Sequence, residues 1–199
     1  ISYRRGQRHL TTVVDHQQGS IVWCAPGRNA TTLQGFFELL GDRKHSIRAV
    51  SIDMSGGYQQ AIRQSIPHAD ICFDPFHVVR LAQRAVDQVR RDEWNAHDRS
   101  HTPAGKWIKG TRWSLLKSPE KQTIDQLAEL GEVQQANKPL YRAFLLKEEL
   151  RLLYHLDDPT VAPAHLDAWL TWASRSRLDP FIKLARTIRR HYDGILNAI

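Results

Sequence analysis

Two cysteines, Cys24 and Cys72, are all the thiol chemistry in the 199 residues. A pair this far apart supplies neither a disulfide framework nor the ligand spacing of a zinc site, and sparse cysteine fits a reducing compartment. The ten histidines show no zinc-type spacing either. No run of 18 apolar residues exists, so no membrane-spanning helix is predicted and no membrane partner is expected. No secretory leader, internal repeat or low-complexity tract is visible in these residues. Ser55-Gly56-Gly57 lacks the Lys-Ser/Thr of a phosphate-binding P-loop. The chain opens on Ile1, without Met, and stops at Ile199 inside a helical pattern, so it is expected to be a fragment of something longer.

What is present is a hydrophobic content of 41%, enough for a core, and a net charge of +7. A basic balance favours an acidic partner, nucleic acid before an anionic membrane, against the plain alternative of a basic surface. The first region alternates strand and helix signals. His9 to Asp15 and Ser20 to Ala25 are β-branched runs joined by a polar turn ending in Gly19, a hairpin pattern. Leu33, Phe36, Phe37 and Leu40 share one face of a helix over residues 31–40. Ile47 to Asp53 reads as a short buried strand, Tyr58 to Ile66 as a helix stopped by Pro67, and Ala69 to Phe73 as the next strand. Strands alternating with helices put these last two parallel in one mixed sheet.

From Asp74 onward the pattern is helical. Asp74-Pro75, Ser118-Pro119 and Asp179-Pro180 each pair a capping residue with a first-turn proline. Phe181, Leu184, Ala185, Ile188, Tyr192, Ile195 and Ile199 predict one closing helix, its polar side carrying Lys183, Arg186, Arg189 and Arg190. Trp107, Trp113, Trp169 and Trp172 read as core anchors in preference to base-stacking platforms.

Asp53 carries the most chemistry. It ends a strand before a flexible Ser-Gly-Gly loop, and sites in open α/β sheets lie beyond the carboxyl ends of strands. A carboxylate there reads equally as a Mg²⁺ ligand or a loop-capping aspartate. Asp74 reads as a helix cap and His77 as a first-turn residue that orients Asp74, nears a metal or simply packs. Asp15, at a hairpin end, reads first as a turn residue.

The stretch Val50 to Ala82, VSIDMSGGYQQAIRQSIPHADICFDPFHVVRLA, resembles the core of the ISL-three family of insertion-sequence transposases of the DDE class. Its marks are a strand ending in Asp, a Ser-Gly loop, a short helix and Phe-Asp-Pro-Phe-His-Val-Val. GQRHLTTVVDHQQGSIVWCAPGR, TRWSLLKSPEK, FLLKEELR and IRRHYDGILNAI resemble further family segments, so the likeness covers nearly the whole chain.

The resemblance implies a ribonuclease-H-like mixed sheet, partly held in residues 1–74, with a large all-helical insertion over 75–199 and further core beyond both ends. It makes Asp53 the second catalytic acid and a metal ligand, and Asp74 and His77 an Asp-x-x-His signature. Asp15 is a weaker substitute for the first acid. That acid and the final glutamate are expected upstream of Ile1 and downstream of Ile199, so the isolated chain is not expected to cleave DNA. Mg²⁺ or Mn²⁺ is expected only in the intact protein. Arg84, Arg186 and Arg190 are expected on phosphates of element-end and target DNA, in a protein of the bacterial cytoplasm and nucleoid that forms homo-oligomers on DNA. The competing functions are a non-catalytic DNA-binding remnant and a ribonuclease-H-like nuclease.

Overall fold

The computed structural model describes residues 2–4, 8–54 and 56–199, with side chains from His9 onward. The chain separates into two compact units, Ile1–Asp74 and Pro75–Ile199.

In the first unit, β1 (Ser2–Arg4), β2 (Arg8–Asp15) and β3 (Ser20–Pro26) form an antiparallel sheet. The expected hairpin is there, with Thr11 opposite Ala25 and Asp15 opposite Ser20 across a bulge at Val13/Val14. Gly19 closes the turn at φ +64, a conformation that costs a residue without a Cβ little. Helix α1 (Ala30–Leu40) starts where the Asn29 side chain accepts the Thr32 N–H at 2.9 Å. Then come β4 (Ala49–Ile52), α2 (Gly56–Ser65) and β5 (Asp70–Phe73). The strands β4 and β5 pair in parallel as expected, Ala49 beside Asp70 through Ile52 beside Phe73.

Two expectations fail here. The strands make two sheets instead of one: among the described residues, no backbone ladder joins the β1–β2–β3 sheet to the β4–β5 pair. Side-chain packing joins them. Leu33, Phe36 and Phe37 of α1 meet Ala61 and Ile62 of α2 in one cluster, on which Val13 and Trp23 pack from the hairpin and Val50, Ile52 and Ile71 from the parallel pair. Burial of Ile62 contributes roughly 2 kcal/mol to that cluster. Strand β4 is also shorter than Ile47 to Asp53 and half-exposed where a buried strand was expected. With β5 as its one ladder partner among the described residues, its other edge stays open.

The second unit holds helices and short 3-10 turns with no strand among its described residues, as the pattern predicts. Its centre is α3 (Pro75–Ala96), which buries Val78, Ala82, Ala85, Val86 and Val89. Against it pack α4 (Pro103–Gly110), α5 (Arg112–Leu116), α7 (Lys138–Leu152) and α9 (Asp179–Arg190). Helix α6 (Ile124–Ala136) lies on α7, and α8 (Ala162–Ser174) on α7 and α9. Two of the expected caps, at Ser118 and Asp179, do not form, and other residues cap nearby helices. Thr123 and Gln126 form a reciprocal capping box on α6, and Asn137 opens α7 by accepting the Leu140 N–H at 3.0 Å. Ser118-Pro119 starts only a three-residue 3-10 turn, and Asp179 sits inside α9 behind Leu178, favourable there through the helix dipole.

The predicted closing helix breaks in two. The His191 ring takes the Thr187 carbonyl at 2.8 Å, and the His191 N–H turns to Ile188 at 3.0 Å instead. A side chain bonded to a ladder carbonyl competes with the backbone for it, and α10 (Tyr192–Leu196) resumes the helix after His191. The tryptophans also divide. Trp169 is buried and donates to the Leu146 carbonyl at 2.8 Å, Trp107 is half-buried, and Trp113 and Trp172 stand 54% and 37% exposed. Core anchoring therefore holds for Trp169, in part for Trp107, and not for the other two.

Candidate functional site

The parallel pair brings two of the predicted residues together. Ile52 and Phe73 are the last paired residues of β4 and β5, and the Asp74 N–H donates to the Ile52 carbonyl at 3.0 Å. The next step of that register sets Asp53 beside Asp74, and neighbouring strands run about 4.8 Å apart. Two carboxylate residues thus share the carboxyl edge of one parallel pair, Asp53 exposed and Asp74 half-buried. Tyr58, two residues into the helix that follows, anchors the crossover to the hairpin through a 2.6 Å contact between its hydroxyl and that of Thr11.

His77 lies in the first turn of α3, half-buried, with its ring edge-on to Phe76 at 5.3 Å. Asp15 is occupied by the turn itself: its carboxylate accepts the N–H groups of Gln17 at 2.8 Å and Gln18 at 3.2 Å. Among the described residues, no three His, Cys, Asp or Glu side chains converge as a metal site. Asp53 and Asp74 therefore supply hard oxygen donors suited to Mg²⁺ or Mn²⁺, but only part of a coordination shell. Nearby on β5, burial first, and then the Asp70 charge, push the Cys72 thiol above its ordinary value.

In the second unit the predicted arginines are exposed. Arg186 and Arg190 lie one turn apart on α9, and Arg84 lies on α3. Arg84 lines a groove together with Arg80, Arg91 and Asp87 from α3 and Arg112 and Leu116 from α5. Of these, Arg84 leads the helix arginines that the sequence places on phosphates. The stripe 80, 84, 87, 91 has helical spacing and was legible, whereas Arg112 comes from another element.

The family model for DDE transposases of the ISL3 type, described as "Transposase", matches residues 1–199. The chain belongs to the ISL3 family of DDE transposases. It is 38% identical to the transposase for insertion sequence element IS1557 of Mycobacterium tuberculosis, over 96% of this chain and 48% of that protein. It is 34% identical to the transposase for insertion sequence element IS1001 of Bordetella parapertussis, again over 96% of this chain and 48% of the other. The chain thus spans about half the length of the curated relatives it matches. No solved structure matches it. Among the described residues of this family member, no helix is long and apolar enough to cross a membrane.

Proposed function

We propose that this chain is the central piece of a transposase that cuts and joins DNA strands at the ends of its own element, with Mg²⁺ or Mn²⁺. The observation that carries the reading is the placement of Asp53 and Asp74 at one carboxyl edge of the β4–β5 pair, inside a family match that covers the whole chain. In this reading Ile1–Asp74 is part of a ribonuclease-H-like core and Pro75–Ile199 is its helical insertion. The remaining acids of the triad come from the other half of the relatives' length.

Asp53 is then the second acid and holds the metal, with Asp74 beside it. His77, in the first turn of the next helix, is the histidine of the Asp-x-x-His signature. A bound divalent ion in such a site acidifies the attacking water or 3′-hydroxyl and stabilises the leaving oxygen. The chain's own contribution is positional: β4 and β5 set two carboxylates side by side just past their last paired residues, and Arg84, Arg186 and Arg190 take phosphates. The protein works in the bacterial cytoplasm, on DNA at the nucleoid, as a homo-oligomer.

The test is strand cleavage of element-end DNA by the full-length protein with Mg²⁺. Removing even a second-shell partner of a metal ligand costs about 10- to 100-fold, so Asp53→Ala is expected to lose at least that. The 199-residue chain by itself is expected to cut nothing. Asp74→Asn keeps the capping oxygen and Asp74→Ala loses it, at roughly 1 kcal/mol of stability. Equal loss of cleavage in both, with Asn stable, would put Asp74 on the metal. Cleavage that survives Asp53→Ala would overturn the reading, and cleavage lost in Asp15→Ala would move the first acid to the hairpin.

A further inference from the structure

Helix α3 carries Arg80, Arg84, Asp87 and Arg91 at successive spacings of four, three and four residues, which is one stripe of an α-helix. Short α5 lies against that stripe and adds Arg112 from the other wall. The two elements enclose an open groove of about 380 Å³, lined by four arginines and one carboxylate. Asp87 sits at its base with a side chain only 14% exposed. One of its oxygens accepts Arg90 Nε and Nη2 at 3.1 and 2.8 Å, and the other accepts Arg91 Nε at 2.9 Å. Arg112 Nε approaches the same carboxylate at 3.8 Å. Arg90 is itself buried, so Asp87 is anchored through it to the helix core and tethers Arg91 and Arg112 on opposite walls. Arg80, whose guanidinium lies over the Phe76 ring at 5.9 Å, and exposed Arg84 have no carboxylate within ion-pair distance among the described residues.

Next to Arg112 in α5, outside the groove's own lining, stands Trp113. Its ring is 54% exposed, and the Arg112 guanidinium lies over it at 5.0 Å to the centroid. An indole left this exposed forgoes roughly 2 kcal/mol of burial that Trp169 collects in the core. Arginines that track a backbone beside an aromatic that offers a flat face are the two elements that bind unpaired nucleic acid. The groove has the volume of a small-ligand cleft.

The geometry points to a binding site for a single DNA strand in the α3–α5 groove, with Arg80, Arg84, Arg91 and Arg112 on successive phosphates and Trp113 stacked on an unpaired base. Asp87 is a positioning residue, holding two of the arginines in place before the strand arrives. This deepens the transposase reading, since strands opened at an element end supply such a substrate. It stands on residues separate from Asp53 and Asp74.

The experiment uses the full-length protein, a labelled single strand of arbitrary sequence carrying 5-bromouracil, and its duplex counterpart. Irradiation is expected to cross-link the single strand to Trp113. Trp113→Ala is expected to weaken single-strand binding on the order of tenfold with an unchanged salt slope, the loss of one stack, and to leave duplex binding alone. Trp113→Phe should restore most of it. Arg84→Ala with Arg112→Ala should lower the salt slope by about 1.4, at roughly 0.7 per phosphate on a single strand. Trp172→Ala, at the other exposed tryptophan of the pair, should change nothing. Adducts that avoid Trp113, wild-type affinity in Trp113→Ala, or an unchanged slope in the arginine pair would each overturn the site. Loss of Asp53-dependent cleavage alone would leave it standing, so the two readings fail separately.

Discussion

Replacing Lys147 by Met should destabilise the second unit by about 3 kcal/mol, because of what its ammonium holds. The side chain is 2% exposed, on the buried face of α7. Its Nζ donates to the carbonyls of Lys117 at 2.9 Å and Leu116 at 3.3 Å, at the end of α5, and pairs with Glu148 at 2.6 Å. The Phe144 ring lies beneath it at 4.7 Å. Burying an ammonium costs several kcal/mol, and a buried ion pair swapped for apolar side chains is often neutral or better. Here only one partner is removed and Glu148 stays, which is itself destabilising. The two carbonyls add to that cost. Methionine matches the length and packs on Phe144, but it cannot donate, and each half-buried carbonyl left without its donor costs about 1–3 kcal/mol at most. Glu148 loses one cation and keeps Arg151 at 2.8 Å. For a unit of this size, 3 kcal/mol lowers Tm by roughly 6–12 °C. The assay is thermal unfolding followed by circular dichroism, with single-strand binding measured alongside, since α5 also carries Arg112 and Trp113. A variant as stable as the parent, or more stable, would refute the carbonyl argument and show that desolvation of the ammonium dominates.

Two further outcomes follow from other charges. Burial pushes the Asp87 carboxyl up, but hydrogen bonds from Arg90 and the charges of Arg90, Arg91 and Arg112 outweigh it, so its value lies below the ordinary 3.8. A folded value below the unfolded one contributes stability above pH 3.8 that is lost as pH falls through the folded value. Acid unfolding of Asp87→Asn should therefore be shallower below pH 4 than that of the parent, and parallel curves would refute the pairing. Arg186→Ala with Arg190→Ala should lower the salt slope of duplex binding by about 1.8, at roughly 0.9 per phosphate, with no change in single-strand cross-linking to Trp113. An unchanged slope would take α9 out of the DNA interface.

The sequence by itself determined the hairpin, the parallel pair and the helical second half. Each rests on short-range regularity: period-2 β-branched runs before Gly19, apolar runs around a crossover helix, and apolar stripes such as Val78, Ala82, Ala85 and Val89. It also placed Asp53 and Asp74 at the ends of their strands, because a carboxylate closing an apolar run before a Gly or Pro marks the strand exit. Tertiary structure alone decided the rest. Whether the strands shared one ladder or two depended on pairings between distant segments, and α1 and α2 supply packing where a ladder was expected. The closing helix breaks at His191, where the ring makes a side-chain bond that no hydrophobic period encodes. Trp113 and Trp169 are the same residue in similar helical contexts, yet one is exposed and the other buried, since burial depends on which element lies opposite. Arg112 joins the α3 stripe across a gap of more than twenty positions, because Asp87 and the packing of α5 bring it there. Local regularity survives in a one-dimensional string, while a charge brought in from another element exists only once the chain has folded.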